Sequence, residues 1–401
     1  MGNQQELVSP RLQALQEKLT AGDTGAIDAF WRAIQTSGAP LVESIDNSKD
    51  NVLATFMWRA EEQCAAVLIF GGVAHPDAMV RLGESNLWFK SYELPRDSRF
   101  TYELGPSNQP LDQRADGWDP SRAAWQLDPL NPKRCSFAHD DEGAFFGYTA
   151  SLLELPDAPA QPWVTAKDHV PSGTTELHRY QSRLLQNERR LWIYTPPSTK
   201  IVDEPYDLLI LFDGFVYSQI VPTPTILDNL LYEKRIRPTL AVMVDSPNRQ
   251  QELTANLRFR KFMVDELIPW LRTKYPITAD ATRTTLGGSS AGGFAALSIA
   301  LAHPDIFGNV LSQSGAFWFA DPKQPNNFVE KVASLPPAPL SIYLDVGLFD
   351  PQNLQVNQKL RDILQEKDYD LHYHERSSGH EPVAWQGTLG EALLTLQRNT
   401  E

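Results

Sequence analysis

Thr284-Thr285-Leu286-Gly287-Gly288-Ser289-Ser290-Ala291-Gly292-Gly293-Phe294-Ala295-Ala296-Leu297 holds the decision about this fold. Its first residues are β-branched or apolar and predict a strand. Its last ones, continued by Ser298-Ile299-Ala300-Leu301-Ala302, predict a helix. Between them Gly288-Ser289-Ser290-Ala291-Gly292 fits G-x-S-x-G, the turn in which a serine sits in strained backbone geometry between a strand and a helix. The small neighbours have a steric purpose, because only they let the chain bend so tightly. Ser290 is therefore the candidate nucleophile. Ser289 fits only a variant of the pattern that ends in Ala.

Outward from this bend, strands and helices alternate. Tyr206–Phe212 and Leu240–Val244 are continuous apolar runs, as in strands buried on both faces. Glu176–Leu184 and Arg190–Tyr194 alternate like an antiparallel pair. Helical patterns cover Ile226–Lys234, Arg258–Lys274, Ala291–Ala302, Asn353–Lys367 and a last stretch near Thr388–Gln397. Strands are expected at Thr284–Leu286, Gly308–Gln313, Ser341–Val346 and Asp370–Glu375. Such alternation predicts a mostly parallel, doubly wound sheet, and with the serine bend it predicts the α/β-hydrolase fold.

The first part of the chain has another texture. Leu12, Leu15, Leu19, Ile27, Phe30, Trp31 and Ile34 recur at helical spacing over residues 10–36. Val52–Arg59, Cys64–Phe70, Leu87–Leu94 and Phe100–Leu104 are short, β-branched or aromatic runs separated by turn residues, which predicts a small all-β sandwich after an N-terminal helix. The expected division is residues 1–155 for helix and sandwich, 156–173 for a proline-rich linker, and 174–401 for the hydrolase domain.

In this fold the chain order is nucleophile, acid, histidine. Of the four histidines after Ser290, His303 comes too early, and His372 and His374 alternate on one strand and lack a third metal ligand. His380, in Ser377-Ser378-Gly379-His380 after the last strand, is the candidate base. The acid is expected in the loop that follows Ser341–Val346, which selects Asp350 with Asp345 as runner-up. The oxyanion requires two backbone donors. Ala291 N–H is one; Phe215 N–H, with Gly214 next, is the other, from the loop after Tyr206–Phe212. No metal and no cofactor are expected, since acyl transfer of this kind needs only water and no P-loop, dinucleotide fingerprint or metalloprotease motif occurs.

The formal net charge of −14 argues against a nucleic-acid partner. The chain's two cysteines are too few for a disulfide scaffold. Residues 1–7 show no basic region followed by an apolar run, Glu6 stands where a myristoylation site needs Ser or Thr, and no apolar run approaches the roughly 20 residues that span a bilayer. The cytoplasm, with no membrane association and no protein partner, is the expectation.

The motifs together resemble the enterochelin (ferric enterobactin) esterase family. They are Leu-Phe-Asp-Gly at 211–214, Val-Asp-Ser at 244–246, Arg249, Glu252, Leu253 and Asn256, Glu-Leu-Ile-Pro-Trp at 266–270, Val-Leu-Ser-Gln-Ser-Gly-Ala-Phe-Trp at 310–318, Asn357-Gln358-Lys359-Leu360, and Gly379-His380 through Trp385. In the first half Phe30-Trp31, Thr55-Phe56-Met57-Trp58-Arg59, Asn86-Leu87-Trp88 and Asp128-Pro129-Leu130-Asn131-Pro132 resemble that family's sandwich, which is similar to carbohydrate-binding modules. The resemblance implies cytoplasmic hydrolysis of the esters of a ferric catecholate trilactone siderophore, with Ser290 and His380 as nucleophile and base. Asp350 stands where members of that family carry Glu. Arg249 matches an arginine near the substrate pocket, where a guanidinium offers paired donors to an anionic ligand, or it is an ordinary surface arginine. Trp318 stacks on catechol rings or packs in the core. Two rival functions share the fold: a feruloyl- or acetyl-type carbohydrate esterase, and a non-catalytic siderophore- or glycan-binding protein.

Overall fold

In the computed structural model residues 8–397 are described, apart from residues 62, 111–112, 115–116, 119–122, 144, 198–203, 255 and 320–327. Residues 1–7, on which the expectation about a leader rests, lie outside them. The chain divides into two units. The first comprises Met1–Phe137, Gly147–Pro159 and Ser377–Glu381; the second comprises Ala138–Phe146, Ala160–Arg376 and Pro382–Glu401.

The first unit contains a four-stranded and a five-stranded antiparallel sheet. The period-two runs form strands as the sequence leads one to expect, at Asn51–Arg59, Ala66–Gly71, Leu87–Pro95 and Arg99–Ser107. Leu41–Ser44, Ala74–Ala78 and Tyr148–Glu154 are further strands that carry too few apolar residues to stand out. The single N-terminal helix is corrected to two, Pro10–Thr20 and Ala26–Ser37, broken at Gly22, whose φ of +87° a helix cannot accept.

In the second unit the strands are β1 Thr174–Ser182, β2 Asn187–Thr195, β3 Asp207–Phe212, β4 Thr239–Val244, β5 Thr284–Ser289, β6 Asn309–Gln313, β7 Ser341–Gly347 and β8 Asp370–Arg376. Their spatial order is β1-β2-β4-β3-β5-β6-β7-β8. The two pairings that β2 makes are antiparallel, and all the others are parallel. The expected α/β-hydrolase sheet is present, and its central strands are buried on both faces. Leu208, Ile210 and Phe212 point into a core shared with helix Ala291–Ala302, while Leu209 and Leu211 face helices Thr223–Tyr232 and Pro382–Leu396.

Two helices differ from the expected spans. Arg258–Lys274 is α-helical at Leu257–Lys261, widens to a π-turn at Phe262–Leu267, and returns to α at Ile268–Lys274. Pro269, one residue inside the last segment, has no N–H and would clash with the carbonyl four residues back; the wider turn just before it relieves both problems. The last helix starts at Pro382 rather than near Thr388, with proline in its first turn.

Candidate active site

Three neighbouring parallel strands end in the same way. Asp213 after β3, Ser290 after β5 and Ser314 after β6 all have left-handed φ, at +59°, +55° and +50°. A non-glycine residue reaches that region only under constraint, and three in a row at the C-terminal edge of a parallel sheet mark the place where such folds build their sites.

At Ser290 the backbone has φ 55° and ψ −121°. Its N–H donates to Gln313 O at 2.9 Å, and its carbonyl accepts from Phe294 N–H at 3.1 Å and Ala316 N–H at 3.0 Å. The glycines are needed because the chain folds onto itself. A Cβ on Gly288 would lie 2.9 Å from the Gly292 carbonyl carbon, and one on Gly293 would lie 2.2 Å from Ser312 Oγ. Ser290 itself is half-buried. The helix Ala291–Ala302 starts at the next residue, so Ala291 N–H has no acceptor within the helix and points its dipole toward the serine end.

The loop after β3 carries the two other backbone N–H groups, of Gly214 and Phe215, that the sequence reading expects to meet the oxyanion. Gly214 is confined: a Cβ there would lie 2.7 Å from Met243 O and 2.8 Å from Asp245 N. Among the described residues neither Gly214 N–H nor Phe215 N–H donates to a backbone carbonyl. Tyr217 N–H donates to Asp213 O at 3.1 Å and closes the turn. Arg249 grips Asp213 in a bidentate pair, Nε to Oδ1 at 2.7 Å and Nη2 to Oδ2 at 2.8 Å. It is exposed, and with its partner it braces the loop after β3 while keeping further N–H groups of the guanidinium for other acceptors.

Asp350 is buried at the start of helix Pro351–Glu366, just past β7. Asn353 Nδ2 donates to its two oxygens at 3.1 and 2.9 Å. The same Asn353 accepts the Trp318 indole N–H at Oδ1, 2.9 Å away. Trp318 is 43% exposed with its ring 4.1 Å, centre to centre, from that of Phe319, so it is a half-open aromatic wall and not a core tryptophan. Asp345 is different. It lies inside β7, where burial pushes its carboxyl up to about 6 while the Thr388 hydroxyl and the Arg376 charge pull it down. Those neighbours place Asp345 on the sheet face beneath helix Pro382–Leu396, not at the strand end.

A buried network that the sequence reading did not anticipate lies under the serine. Gln313 Oε1 accepts from the Tyr217 hydroxyl at 2.7 Å, and its Nε2 donates to Trp385 O at 2.8 Å and Thr388 Oγ1 at 2.6 Å. Gln313 thus joins the serine bend, through its backbone carbonyl, to Tyr217 and the first turns of the last helix, through its side chain. No sequence signal marked it, because Gln313 is one of three polar residues in the short strand Asn309-Val310-Leu311-Ser312-Gln313. Asn353 was equally hidden, although an amide three residues after Asp350 at a helix start is a position from which it can reach back.

His380 lies in Ser377–Glu381, immediately before that last helix, and is exposed while Ser378, Gly379 and Glu381 around it are buried. The His374 ring lies tilted against Tyr343, 5.3 Å from centre to centre, and His372 lies 3.4 Å from Asp370. Among the described residues no three His, Cys, Asp or Glu side chains gather as a metal ion would require.

The profile of the family described as putative esterase matches residues 182–396, and that of the enterochelin esterase N-terminal domain matches residues 53–164. The chain belongs to the esterase family. It is a carboxylic ester hydrolase, and its first unit carries the enterochelin esterase N-terminal domain, as the motif resemblance implied. The iron(III) enterobactin esterase of Escherichia coli O6:H1 is 28% identical over 94% of this chain and 98% of its own. The ferric enterobactin esterase of Salmonella typhimurium superposes with a TM-score of 0.74 at 28% identity, over 92% of this chain and 98% of that one. The enterobactin esterase FES of Shigella flexneri, solved in the presence of enterobactin, gives 0.71 at 26% identity, over 92% and 97%. These esterases align with both units, so the likeness extends well beyond the serine bend.

Proposed function

We propose that the chain hydrolyses the ester bonds of a catecholate trilactone siderophore of the enterobactin type, with Ser290 as nucleophile, His380 as general base and Asp350 as the acid that orients the imidazole. The observation that carries this reading is the backbone of Ser290, held at φ 55° at the end of β5 with the N–H of Ala291 beside it, in a chain similar to an iron(III) enterobactin esterase along 98% of that protein's length.

In the first half-reaction His380 takes the Ser290 proton while the hydroxyl oxygen attacks the ester carbonyl. The negative charge that develops on the carbonyl oxygen is met by Ala291 N–H and by Phe215 N–H, with Gly214 N–H as the neighbour to it. Collapse of this intermediate breaks the ester C–O bond, and His380 returns its proton to the leaving alkoxide. Water then repeats the sequence on the acyl-enzyme and frees the acid. Asp350 suits its task because it is buried and already held on both oxygens by Asn353, so it is fixed before substrate arrives. Arg249 offers its remaining donors to an anionic ligand, and Trp318 offers an exposed ring for catechol stacking. No helix among the described residues is long and apolar enough to cross a membrane. The resemblance to enterochelin esterases is what supports the cytoplasm as the place of iron release.

The direct test is incubation with ferric and iron-free enterobactin, salmochelin and bacillibactin, with a feruloyl sugar ester alongside and products identified by mass. Linear trimers, dimers and monomers of the acylated serine are the expected products, absent with Ser290→Ala. Turnover of the feruloyl ester alone would overturn the substrate class.

A further inference from the structure

The residue that follows His380 is a buried carboxylate. Glu381 Oε2 accepts from the Thr101 backbone N–H at 2.7 Å and from the Thr101 hydroxyl at 2.5 Å. Thr101 belongs to Arg99–Ser107, the sandwich strand that pairs with both Ala66–Gly71 and Tyr148–Glu154. Two further points bind the same loop to the first unit. Arg99 N–H donates to Ser377 O at 3.1 Å, and Gly379 passes so close to Gly72 that an added Cβ would lie 3.3 Å from the Gly72 Cα. The five-residue segment is therefore held at its start, near its middle and at its end, and the one side chain it leaves exposed is the imidazole of His380.

This fastening costs something. Burial pushes the Glu381 carboxyl up to about 7, against the pull of Thr101, the Gly379 N–H and His380. The other titratable groups that feel it, Tyr148 at the start of strand Tyr148–Glu154 and Cys135 on the next strand, Arg134–Phe137, are themselves pushed up, and neither brings a positive charge. A neutral amide could hold the strand without that cost. A carboxylate instead makes two charge-assisted hydrogen bonds, which are stronger and more sharply directed.

We propose that Glu381 and Thr101 are positioning residues for the hydrolytic reaction: their hydrogen bonds fix the loop Ser377–Glu381 on the sandwich strand and so hold the His380 imidazole in its working place. The inference rests on the reading of His380 as base. It gives the N-terminal sandwich a part in the chemical step in addition to any part in binding. Neither residue touches the reacting atoms, so the signature is a loss in kcat that depends on the presence of His380.

A double-mutant cycle on the full-length chain tests this, with p-nitrophenyl butyrate as substrate so that the siderophore is not involved. Thr101→Val removes the hydroxyl donor while keeping shape and β-propensity. A small displacement of a catalytic group costs about 10- to 100-fold in rate, so a kcat loss in this range is expected, with KM within about twofold. In the His380→Ala background the same substitution is expected to change the residual rate by less than about twofold, because the group it positions is gone. Thr101→Ser, which keeps both donors, is expected to restore kcat to within about threefold. Equal losses in both backgrounds, or a change in KM alone, would overturn the proposal. Should Thr101→Val fail to fold in a thermal melt, Glu381→Gln, which preserves the packing and weakens both hydrogen bonds, is put through the same cycle and judged by the same two outcomes. If Ser290→Ala is inactive and the cycle is additive, the positioning role falls and the esterase mechanism stands. If His380→Ala keeps full activity, it is the assignment of the base that falls.

Discussion

The bend that carries Ser290 is made by residues that are neighbours in sequence, whereas the loop that carries His380 is secured by a strand 280 positions away. Around the serine, the glycines, the left-handed φ and the emerging helix N-terminus are consequences of one short peptide. Around the histidine, nothing local dictates where the ring will be. Its backbone is short and small, and order comes from Thr101, Arg99 and Gly72. The proposed nucleophile can be specified by a motif; the proposed base depends on tertiary contacts for its place. The proposed acid, Asp350, lies between these cases, on a strand end that topology predicts but with its carboxylate clamped by Asn353.

The largest effect is expected at the proposed acid. Asp350→Asn is expected to lower kcat by about 10²- to 10⁴-fold with the melting temperature little changed, because on the proposed mechanism the imidazole loses the partner that selects its tautomer. Asp345→Asn is expected to stay within about tenfold of the parent, since that carboxylate faces Thr388 and Arg376 and not the strand end. Steady-state kinetics on p-nitrophenyl butyrate separates them, and the reverse ranking would move the acid to Asp345.

The sharpest test of the local half is Gly288→Ala. The added methyl would meet the Gly292 backbone at 2.9 Å, a contact that no side-chain rotation relieves. A stability loss of about 1–3 kcal/mol is expected from urea unfolding, together with lost activity. A variant as stable and active as the parent would show that the turn has more room than its backbone implies.

The same logic explains what could be read from the chain. The parallel sheet, its continuous apolar strands and the helix Ala291–Ala302 were legible, because burial on two faces and a 3.6-residue period leave clear marks. The break at Gly22 was passed over, as Leu19 and Ile27 stay apolar on either side of it. The early start of the last helix was hidden because Pro382-Val383-Ala384-Trp385 follows a small-residue loop and no capping residue marks it. Residues that work through a second side chain left no signal: Gln313, Tyr217 and Asn353 are ordinary polar or aromatic residues until the sheet gathers them. Arg249 was placed near a substrate by resemblance alone, and its pairing with Asp213 adds a bracing task that the sequence concealed.

The smallest expected effect concerns pH. Burial raises the Asp345 carboxyl to about 6 in the folded chain, against an ordinary value of 3.8. The folded state thus holds that proton more tightly than the unfolded one. The contribution to stability is fully present below about pH 4 and is lost as pH rises through about 6. Asp345→Asn removes this dependence, so thermal melts should show it gaining a few degrees on the parent at pH 8 compared with pH 4. A constant difference between the two proteins across that range would mean that the carboxyl is not protonated on folding.

The account depends most on the hydroxyl of Ser290, and an alkyl fluorophosphonate addresses it directly. The full-length protein is labelled, hydrolysis is followed to completion of the labelling, and the peptides are identified by mass. The expected result is one adduct per chain, on the peptide that follows Arg283, with activity falling in proportion to it and no adduct on Ser290→Ala. Hydrolysis that persists in the fully labelled protein, or an adduct on another residue that tracks the loss of activity, would contradict it.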